Sequence, residues 1–387
     1  MAKINEWRYK RRSWDIRTVL GKETPNPRTN THHENPFAQN LESAMSKVTV
    51  LESTLNSIFG NLASEEALIA KSLSLPTLFV WRNQPTVTIG RHQNPWKECD
   101  LKLMNDHGVA LARRYSGGGA VYQDMGCTTF TFIHNLSSVS SPSRIIDANF
   151  ETLVTSMQSL GLSAERKGRN DIVIGDFKIS GSAFKQTPST LIHHGTILVG
   201  TDTERLGKYL TPSKLKLQAK GIASVQARVS TIAAHHPRVD HEVVCDSLAR
   251  AFRARYMCSD LEPPTRIDQL MQQDEVFLKH HSLLSNWDWR YGTTPHFSHH
   301  METRIEGVGM FECHYEVDQG RISGIQIFSD ILFPDVVDQL EIALRGTEYS
   351  REAVNSALDR VQLSHKNETF GEVVRKFSDW FIHSLFR

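Results

Sequence analysis

The chain has 387 residues, which is long enough for two domains with ordinary hydrophobic cores. Its net charge is +1 at pH 7 and 22% of its residues are charged, so it lacks the basic field of a general nucleic-acid binder. No apolar run in the sequence reaches the length needed to cross a bilayer. The five cysteines include no CxxC pair, which favours a reducing compartment and argues against a zinc cluster.

The first 46 residues show little periodicity. Ile4, Trp7, Trp14 and Ile16 can form a weak apolar stripe on a basic helix. Such a stripe is compatible with a mitochondrial transit segment, although these segments usually contain fewer acidic residues. A disordered leader is the alternative. We therefore expect a mitochondrial location, with the cytoplasm as the alternative.

The central part of the chain alternates strand and helix signals. Apolar residues recur at three- and four-residue spacing from Ile146 to Leu160, and Gly161 follows, which predicts a helix with a glycine stop. The pair Gly175-Asp176 between two apolar segments predicts a hairpin. The predicted strands are Leu78–Arg82, Thr86–Gly90, Ala120–Tyr122, Thr128–His134, Ile172–Ile174, Phe177–Ile179 and Ile192–Val199. Because no βαβ repeat is present, we expect an α+β fold with a mixed or mostly antiparallel sheet and packed helices.

The composition changes near residues 287–300. After this point the pattern predicts two strands, 303–317 and 320–328, followed by three helices. One face of the last helix carries Phe370, Val373, Val374, Phe377, Trp380, Phe381 and Leu385. We therefore expect a leader at 1–46, a main domain at 47–290 and a small α/β accessory domain at 291–387.

Residues 113–126 read RRYSGGGAVYQDMG and are the most informative stretch of the chain. The glycines of 117–119 have no side chains, so a ligand can lie directly against the backbone. With Arg113 and Arg114 beside them, they suit a flat ligand that carries a negative group. We expect one of the two arginines to face solvent. The alternative for the whole stretch is a flexible glycine-rich turn between strands.

Three further segments accompany this motif: 168–174 (GRNDIVI), 178–183 (KISGSA) and 193–199 (HHGTILV). Together with 113–126 they resemble the motifs of lipoate–protein ligases and of their mitochondrial lipoyltransferase relatives. Segments 78–83, 88–99, 214–229 and 287–292 are also similar to this family, so the resemblance covers residues 50 to 300 closely. It implies the α+β catalytic fold of biotin and lipoate ligases, which is also like that of class II synthetases.

The resemblance implies that lipoate is activated with ATP and Mg²⁺ to lipoyl-AMP. The lipoyl group then passes to a specific lysine of a lipoyl domain, in the E2 subunits of 2-oxoacid dehydrogenases or in the glycine-cleavage H protein. One alternative is a lipoyltransferase that accepts preformed lipoyl-AMP or lipoyl-H protein without ATP activation. A second is a non-catalytic binder of lipoyl domains. We expect a monomer that binds no nucleic acid and has no membrane span.

The family motifs also imply roles for individual residues. Lys178 is the expected catalytic residue, because its ammonium can stabilise charge on both the α-phosphate and the acyl carbonyl. The expected ATP and lipoyl-AMP contacts are Arg114, Gly119, Ala120, Val121, Tyr122, Asn170, Asp171, Lys178, Gly181 and Ala183. The expected lipoate pocket consists of Ser116, Gly117, Gly118 and His194. Asp171 is the candidate Mg²⁺ ligand, with turn capping as its alternative, and structural hydrogen bonding is the alternative for His194.

Several positions lie outside these assignments. Gln123 stands where the family usually has histidine, and Cys127 where it commonly has asparagine; we expect Cys127 to be a buried structural thiol. The segment Leu210 to Ile222 resembles a loop that closes over the adenylate. We interpret the doubled histidines at 32–33, 235–236, 280–281 and 299–300 as surface residues without a metal.

Overall fold

The computed structural model describes residues 48–71, 73–136, 141–211, 228–258, 262–291, 299–364 and 368–386. Residues Met45–Arg387 form one compact unit. The predicted leader lies outside the described residues, and so does the predicted adenylate loop beyond Thr211.

The main sheet is mixed, as predicted. Its strands in spatial order are Thr265–Arg266 (β11), Thr49–Glu52 (β1), Thr77–Trp81 (β2), Cys127–Asn135 (β6), Thr190–Leu198 (β10), Phe177–Gln186 (β9), Asp171–Ile174 (β8) and Ala164–Lys167 (β7). Strand β1 is parallel to both of its neighbours, and every other pair in this sheet is antiparallel. The predicted hairpin at Gly175-Asp176 joins β8 to β9.

Two long helices, Pro142–Ser159 and His241–Arg255, cover one face of this sheet. The predicted apolar residues Phe150, Leu153 and Met157 enter its core, and Gly161 ends the segment at a φ of 79°. The opposite face carries the candidate site. Adjacent residues of one strand therefore serve different purposes, because successive side chains of a strand point to opposite faces.

A second sheet holds the glycine loop. Its strands are Ala110–Arg113 (β4), Thr86–Ile89 (β3) and Val121–Gln123 (β5), in that spatial order. Strands β2 and β3 follow each other in the sequence but belong to different sheets. The buried Asn83 in the connection accepts a hydrogen bond from Asn61 and donates one to Gln123, which fixes this crossing.

Within its described residues, the C-terminal part of the chain has three strands where the sequence predicted two. They are His299–Ile305 (β12), Gly309–Asp318 (β13) and Arg321–Ser329 (β14). The predicted strand 303–317 is wrong because Gly307 adopts a φ of 71° and turns the chain. The three predicted helices are present at Pro334–Leu344, Arg351–Leu363 and Glu368–Leu385, and with the strands they bury a core of their own.

The other described helices complete the molecule. They are Ile58–Ala70, Pro95–Glu98, Leu101–Asp106, Thr203–Tyr209, Ile232–His235, Asp268–Met271, Glu275–Ser285 and Trp287–Tyr291. Among the described residues, no helix combines the length and apolarity that a membrane span requires.

Candidate active site

A cavity of about 730 Å³ lies between the main sheet, the glycine loop and the C-terminal strands. Most of the predicted site residues line it. These are Arg114, Gly118, Gly119, Ala120, Val121, Tyr122, Asn170, Asp171, Lys178, Gly181, Ala183 and His194. Ser116 and Gly117, which we expected in the lipoate pocket, are not among the lining residues. The C-terminal part adds wall residues that the sequence did not indicate, including Arg304, Asp330 and Leu332.

Lys178 sits at the start of β9, directly after the hairpin. Its Nζ lies 2.6 Å from Oδ1 of Asp171 on the neighbouring strand β8. A β-bulge shifts the register of the two strands between Ile172 and Val173. The bulge lets Lys178 share a side with Gly181, where an added Cβ would be 2.5 Å from the ammonium nitrogen. The absence of a side chain at Gly181, which is an expected ATP and lipoyl-AMP contact, therefore makes room for Lys178 in this structure.

A second cation contacts the same carboxylate. The Arg228 guanidinium donates to Oδ2 of Asp171, which is only 5% exposed. Arg228 belongs to the similar segment 214–229, yet nothing in its sequence context singled it out. One carboxylate and two cations leave a net positive charge at this wall, which suits an anionic ligand.

Both arginines of the glycine motif are buried, so the expectation that one of them faces solvent is wrong. Arg114 donates to the carbonyl oxygens of Thr88, Gly117 and Gly119 and to Oγ of Ser116. Burial lowers the pKa of Arg114 to about 10. This value is still well above neutral pH, so the side chain stays charged there. In this structure its main contacts are with the loop itself.

Arg113 holds the loop from the other side. Its guanidinium donates to five carbonyl oxygens, those of Gly90, Arg91, Gln93, Trp289 and Arg290. The Trp289 indole returns a hydrogen bond to the Arg113 carbonyl at 2.8 Å. The similarity of segment 287–292 to the family thus has a structural basis, because the helix Trp287–Tyr291 anchors the glycine motif.

The glycine triplet also contacts the C-terminal part. The Gly118 amide donates to the Ile331 carbonyl at 2.8 Å. A Cβ on Gly117 would lie 2.0 Å from the same oxygen. Of the three glycines in this triplet, Gly118 and Gly119 line the cavity and Gly117 does not. The absence of a side chain at Gly117 therefore serves packing rather than ligand approach.

A chain of hydrogen bonds runs beneath the loop. Glu65 Oε2 lies 2.9 Å from Nδ1 of His194, and His194 Nε2 lies 2.5 Å from Oγ of Ser116. Ser116 accepts from the Arg114 Nε–H at 3.0 Å, which joins Arg114 to the chain. An ionised carboxylate only accepts, so His194 donates through Nδ1 to Glu65, and the chain fixes the orientation of Arg114.

Glu65 is a functional candidate that the sequence analysis missed. Burial by itself raises the pKa of Glu65, but the charge and hydrogen bond of His194 and the hydrogen bond of Thr131 outweigh it and lower the pKa. Glu65-Glu66 in the helix Ile58–Ala70 resembles an ordinary exposed acidic pair in sequence. Only the fold shows that Glu65 turns inwards, while Glu66 pairs with Lys185 at 2.8 Å.

The two departures from the family motif have structural explanations. Gln123 accepts from Thr88 and donates to Thr129, so this position is a buried polar link between the two sheets. Cys127 is 1% exposed, and burial raises the pKa of its thiol, as expected for a structural cysteine.

His193, the neighbour of His194, lies on the other face of β10. Its ring packs among Phe130, Phe132, Phe150 and Phe184, with centroids 4.7 to 5.8 Å away. Neither ring nitrogen of His193 has a hydrogen-bond partner among the described residues, and burial holds its pKa well below the ordinary value. His193 is thus a core residue rather than a ligand contact.

Comparison with known proteins agrees with this geometry. A family model described as the lipoyl protein ligase A/B catalytic domain matches residues 57–253, and one described as the bacterial lipoate protein ligase C-terminus matches 294–381. The chain belongs to the lipoate–protein ligase family. A lipoate-protein ligase A of Psychrobacter cryohalolentis is 39% identical over 88% of this chain and 99% of its own length. One of Bdellovibrio bacteriovorus is 38% identical over 84% of this chain and 95% of its own length.

Solved lipoate ligase structures share the fold. P. falciparum LipL1 in complex with lipoate is 32% identical, covers 87% of this chain and 99% of its own, and superposes with a TM-score of 0.75. A lipoate-protein ligase A bound with ATP is 27% identical over 64% of this chain and 99% of its own, with a TM-score of 0.53. The bipartite ligase of Thermoplasma acidophilum, described with its E2 lipoyl domain, is 28% identical over 66% of this chain and all of its own, with a TM-score of 0.55.

Proposed function

We propose that this chain activates lipoate with ATP to lipoyl-AMP and transfers the lipoyl group to a specific lysine of a lipoyl domain. The observation that carries the proposal is the Lys178 ammonium at the wall of a single cavity that the family motifs enclose. The relatives described as bound to lipoate or to ATP support the two substrates.

In the first step a carboxylate oxygen of lipoate attacks the α-phosphorus of ATP. The bond to the bridging oxygen breaks, and pyrophosphate leaves with its electron pair. In the second step the acceptor amine attacks the acyl carbon, AMP departs, and the nitrogen loses a proton. Both steps increase negative charge on oxygen, so a fixed cation stabilises both transition states. Lys178 is our candidate for that cation.

Asp171 holds Lys178 in place before the substrates bind. We propose that the ATP phosphates replace Asp171 as the partner of Lys178, since a polyphosphate carries more charge than one carboxylate. The released carboxylate is then available to Mg²⁺, which usually binds through one or two carboxylates plus phosphate and water. Asp171 can bind Mg²⁺ only after the phosphates have replaced it beside Lys178, because in this structure both of its oxygens face a cation.

We propose the acceptor from what the relatives are described with. The Thermoplasma ligase described with its E2 lipoyl domain supports a lipoyl domain as partner, and we extend this to the glycine-cleavage H protein. We assign activation and transfer to residues 47–290 and an accessory role to 291–387. A mitochondrial location remains a prediction from residues 1–46; the two curated relatives described above are bacterial, which favours the cytoplasmic alternative.

ATP–pyrophosphate exchange that depends on free lipoate tests the proposal. We expect robust exchange by the wild-type chain, followed by transfer to an isolated lipoyl domain. Transfer from synthetic lipoyl-AMP without exchange would instead identify a lipoyltransferase. Binding of the lipoyl domain with neither reaction would identify a non-catalytic binder.

A further inference from the structure

Four side chains of the types that bind metal ions share one face of the C-terminal hairpin formed by β12 and β13. His300 pairs with His314 across the two strands, and Glu302 pairs with Glu312 beside them. Because alternate residues of a strand share a face, the two imidazoles and two carboxylates form a compact square. None of the four lines the cavity described above.

The distances are close to those of a metal centre. Nε2 of His314 lies 2.6 Å from Oε1 of Glu312, and Nε2 of His300 lies 3.7 Å from the same oxygen. One donor atom from each of the three residues lies within 4.8 Å of the others. A tetrahedral zinc ion with ligands at about 2.1 Å keeps its donors about 3.4 Å apart. The separations between these donor atoms, 2.6 Å at the shortest and 4.8 Å at most, would therefore change by up to about 1.4 Å to form the site.

The burial of the ligands favours such an adjustment. The side chains of Glu312 and His314 are 10% and 17% exposed, so the surrounding sheet holds them in place. His300 is 43% exposed and can rotate towards them. Glu302, whose Oε2 lies 4.0 Å from Nε2 of His300, can complete the coordination.

A cation already occupies this place. The Lys97 ammonium lies 2.8 Å from Oε1 of Glu312 and 3.6 Å from Oε2 of Glu302. Lys97 belongs to the helix Pro95–Glu98, so this ion pair joins that helix to the hairpin. The two carboxylates therefore attract positive charge, and a metal ion would compete with Lys97 for them.

We propose that His300, Glu312 and His314, completed by Glu302, bind one divalent transition-metal ion of the Zn²⁺ class in place of Lys97. Two imidazoles select such an ion over Mg²⁺ or Ca²⁺, which take oxygen ligands. The doubled histidines at 299–300 gave no such indication in the sequence. Only His300 faces the site, the other ligands come from distant positions, and His299 stacks on Tyr315 at 4.9 Å.

Zn²⁺ titration against a fluorescent chelator tests the site on the full chain without a histidine tag. We expect one saturable Zn²⁺ per chain, unaffected by millimolar Mg²⁺. His300→Gln and His314→Gln should each weaken binding at least tenfold. The matched control His299→Gln lies one residue away on the opposite face and should change affinity less than twofold. Circular dichroism melting shows whether each variant is folded.

Lys97→Met gives a test with the opposite sign. Removal of the competing ammonium should strengthen Zn²⁺ binding several-fold, whereas loss of a merely structural ion pair would leave the affinity unchanged. The proposal is overturned if wild type shows no saturable binding, or if the folded His300→Gln variant binds as tightly as wild type. It is also overturned if Lys97→Met fails to strengthen binding.

Discussion

The Lys178 ammonium and the Asp171 carboxylate form an ion pair 2.6 Å long across the hairpin, at the wall of the cavity. The pair holds the catalytic candidate on a rigid strand rather than on a flexible loop. The first two predictions concern the position of this cation.

Lys178→Ala should reduce both half-reactions by about 10²-fold or more, the usual effect of losing one electrostatic contact to a transition state. Pyrophosphate exchange measures activation, and single-turnover transfer from synthetic lipoyl-AMP measures the second step. Near wild-type rates in either assay would contradict the proposed role of Lys178 in that step.

Gly181→Ala should lower activity by about 10-fold or more without unfolding the protein, because a 1 Å misplacement of a catalytic group can cost about 10²-fold. The new Cβ would lie 2.5 Å from the Lys178 nitrogen and force the side chain away. Activation and transfer should fall together.

Gly371→Ala is the matched control for this substitution. Gly371 lies in the helix Glu368–Leu385, and an added Cβ there meets nothing within 4 Å. This variant should retain full activity and gain about 0.5–1 kcal/mol of unfolding free energy. Equal activity loss in the two variants would show that the effect at Gly181 is not specific to Lys178.

Glu65→Leu should destabilise the protein by about 1–3 kcal/mol, because it leaves the His194 and Thr131 donors buried without an acceptor. It should also lower activity, since the chain through Ser116 orients Arg114. Glu65→Gln retains an acceptor oxygen of the same shape and should restore most of both properties. Urea unfolding and pyrophosphate exchange provide the two readouts, and equal activity of Glu65→Leu and wild type would argue against a positioning role.

His193→Leu should stabilise the protein, because it removes a polar ring from an aromatic core without breaking a hydrogen bond that the structure shows. The gain should increase as the pH falls. Burial holds the pKa of His193 in the folded protein well below the ordinary value of about 6.5, so below that pH the unfolded chain binds a proton that the folded chain does not.

That difference costs the wild type up to about 1.4 kcal/mol per pH unit between the unfolded and folded pKa values. Unfolding free energies of wild type and His193→Leu at pH 7.5, 6.5 and 5.5 should therefore diverge towards acid. Parallel pH dependence of the two proteins would contradict this account.

Local signals in the sequence were sufficient for much of the fold. The spacing from Ile146 to Leu160 and the Gly161 stop define the helix Pro142–Ser159, and Gly175-Asp176 defines the hairpin, because both depend on near neighbours in the chain. Gly307 was missed because a single glycine inside a strand-like pattern is also typical of a bulge.

The site was only partly predictable for a related reason. The motif residues around Lys178 are contiguous, so their placement on one hairpin follows from local structure. Glu65 and Arg228 reach the site through tertiary packing that no local pattern encodes. The burial of both arginines has the same origin, because the carbonyl groups that accept from Arg113 come from residues as distant as Trp289.

The contact between Gly117 and Ile331 has a consequence for compensatory mutation. The atom that excludes a side chain at Gly117 is a main-chain oxygen, so it is present whatever residue stands at position 331. A Gly117→Ala defect therefore cannot be rescued by a smaller residue at 331, as a clash between two side chains could be. We expect suppressors of Gly117 variants to be absent at 331 and to arise, if at all, at positions that shift the backbone of the segment between Ser329 and Pro334.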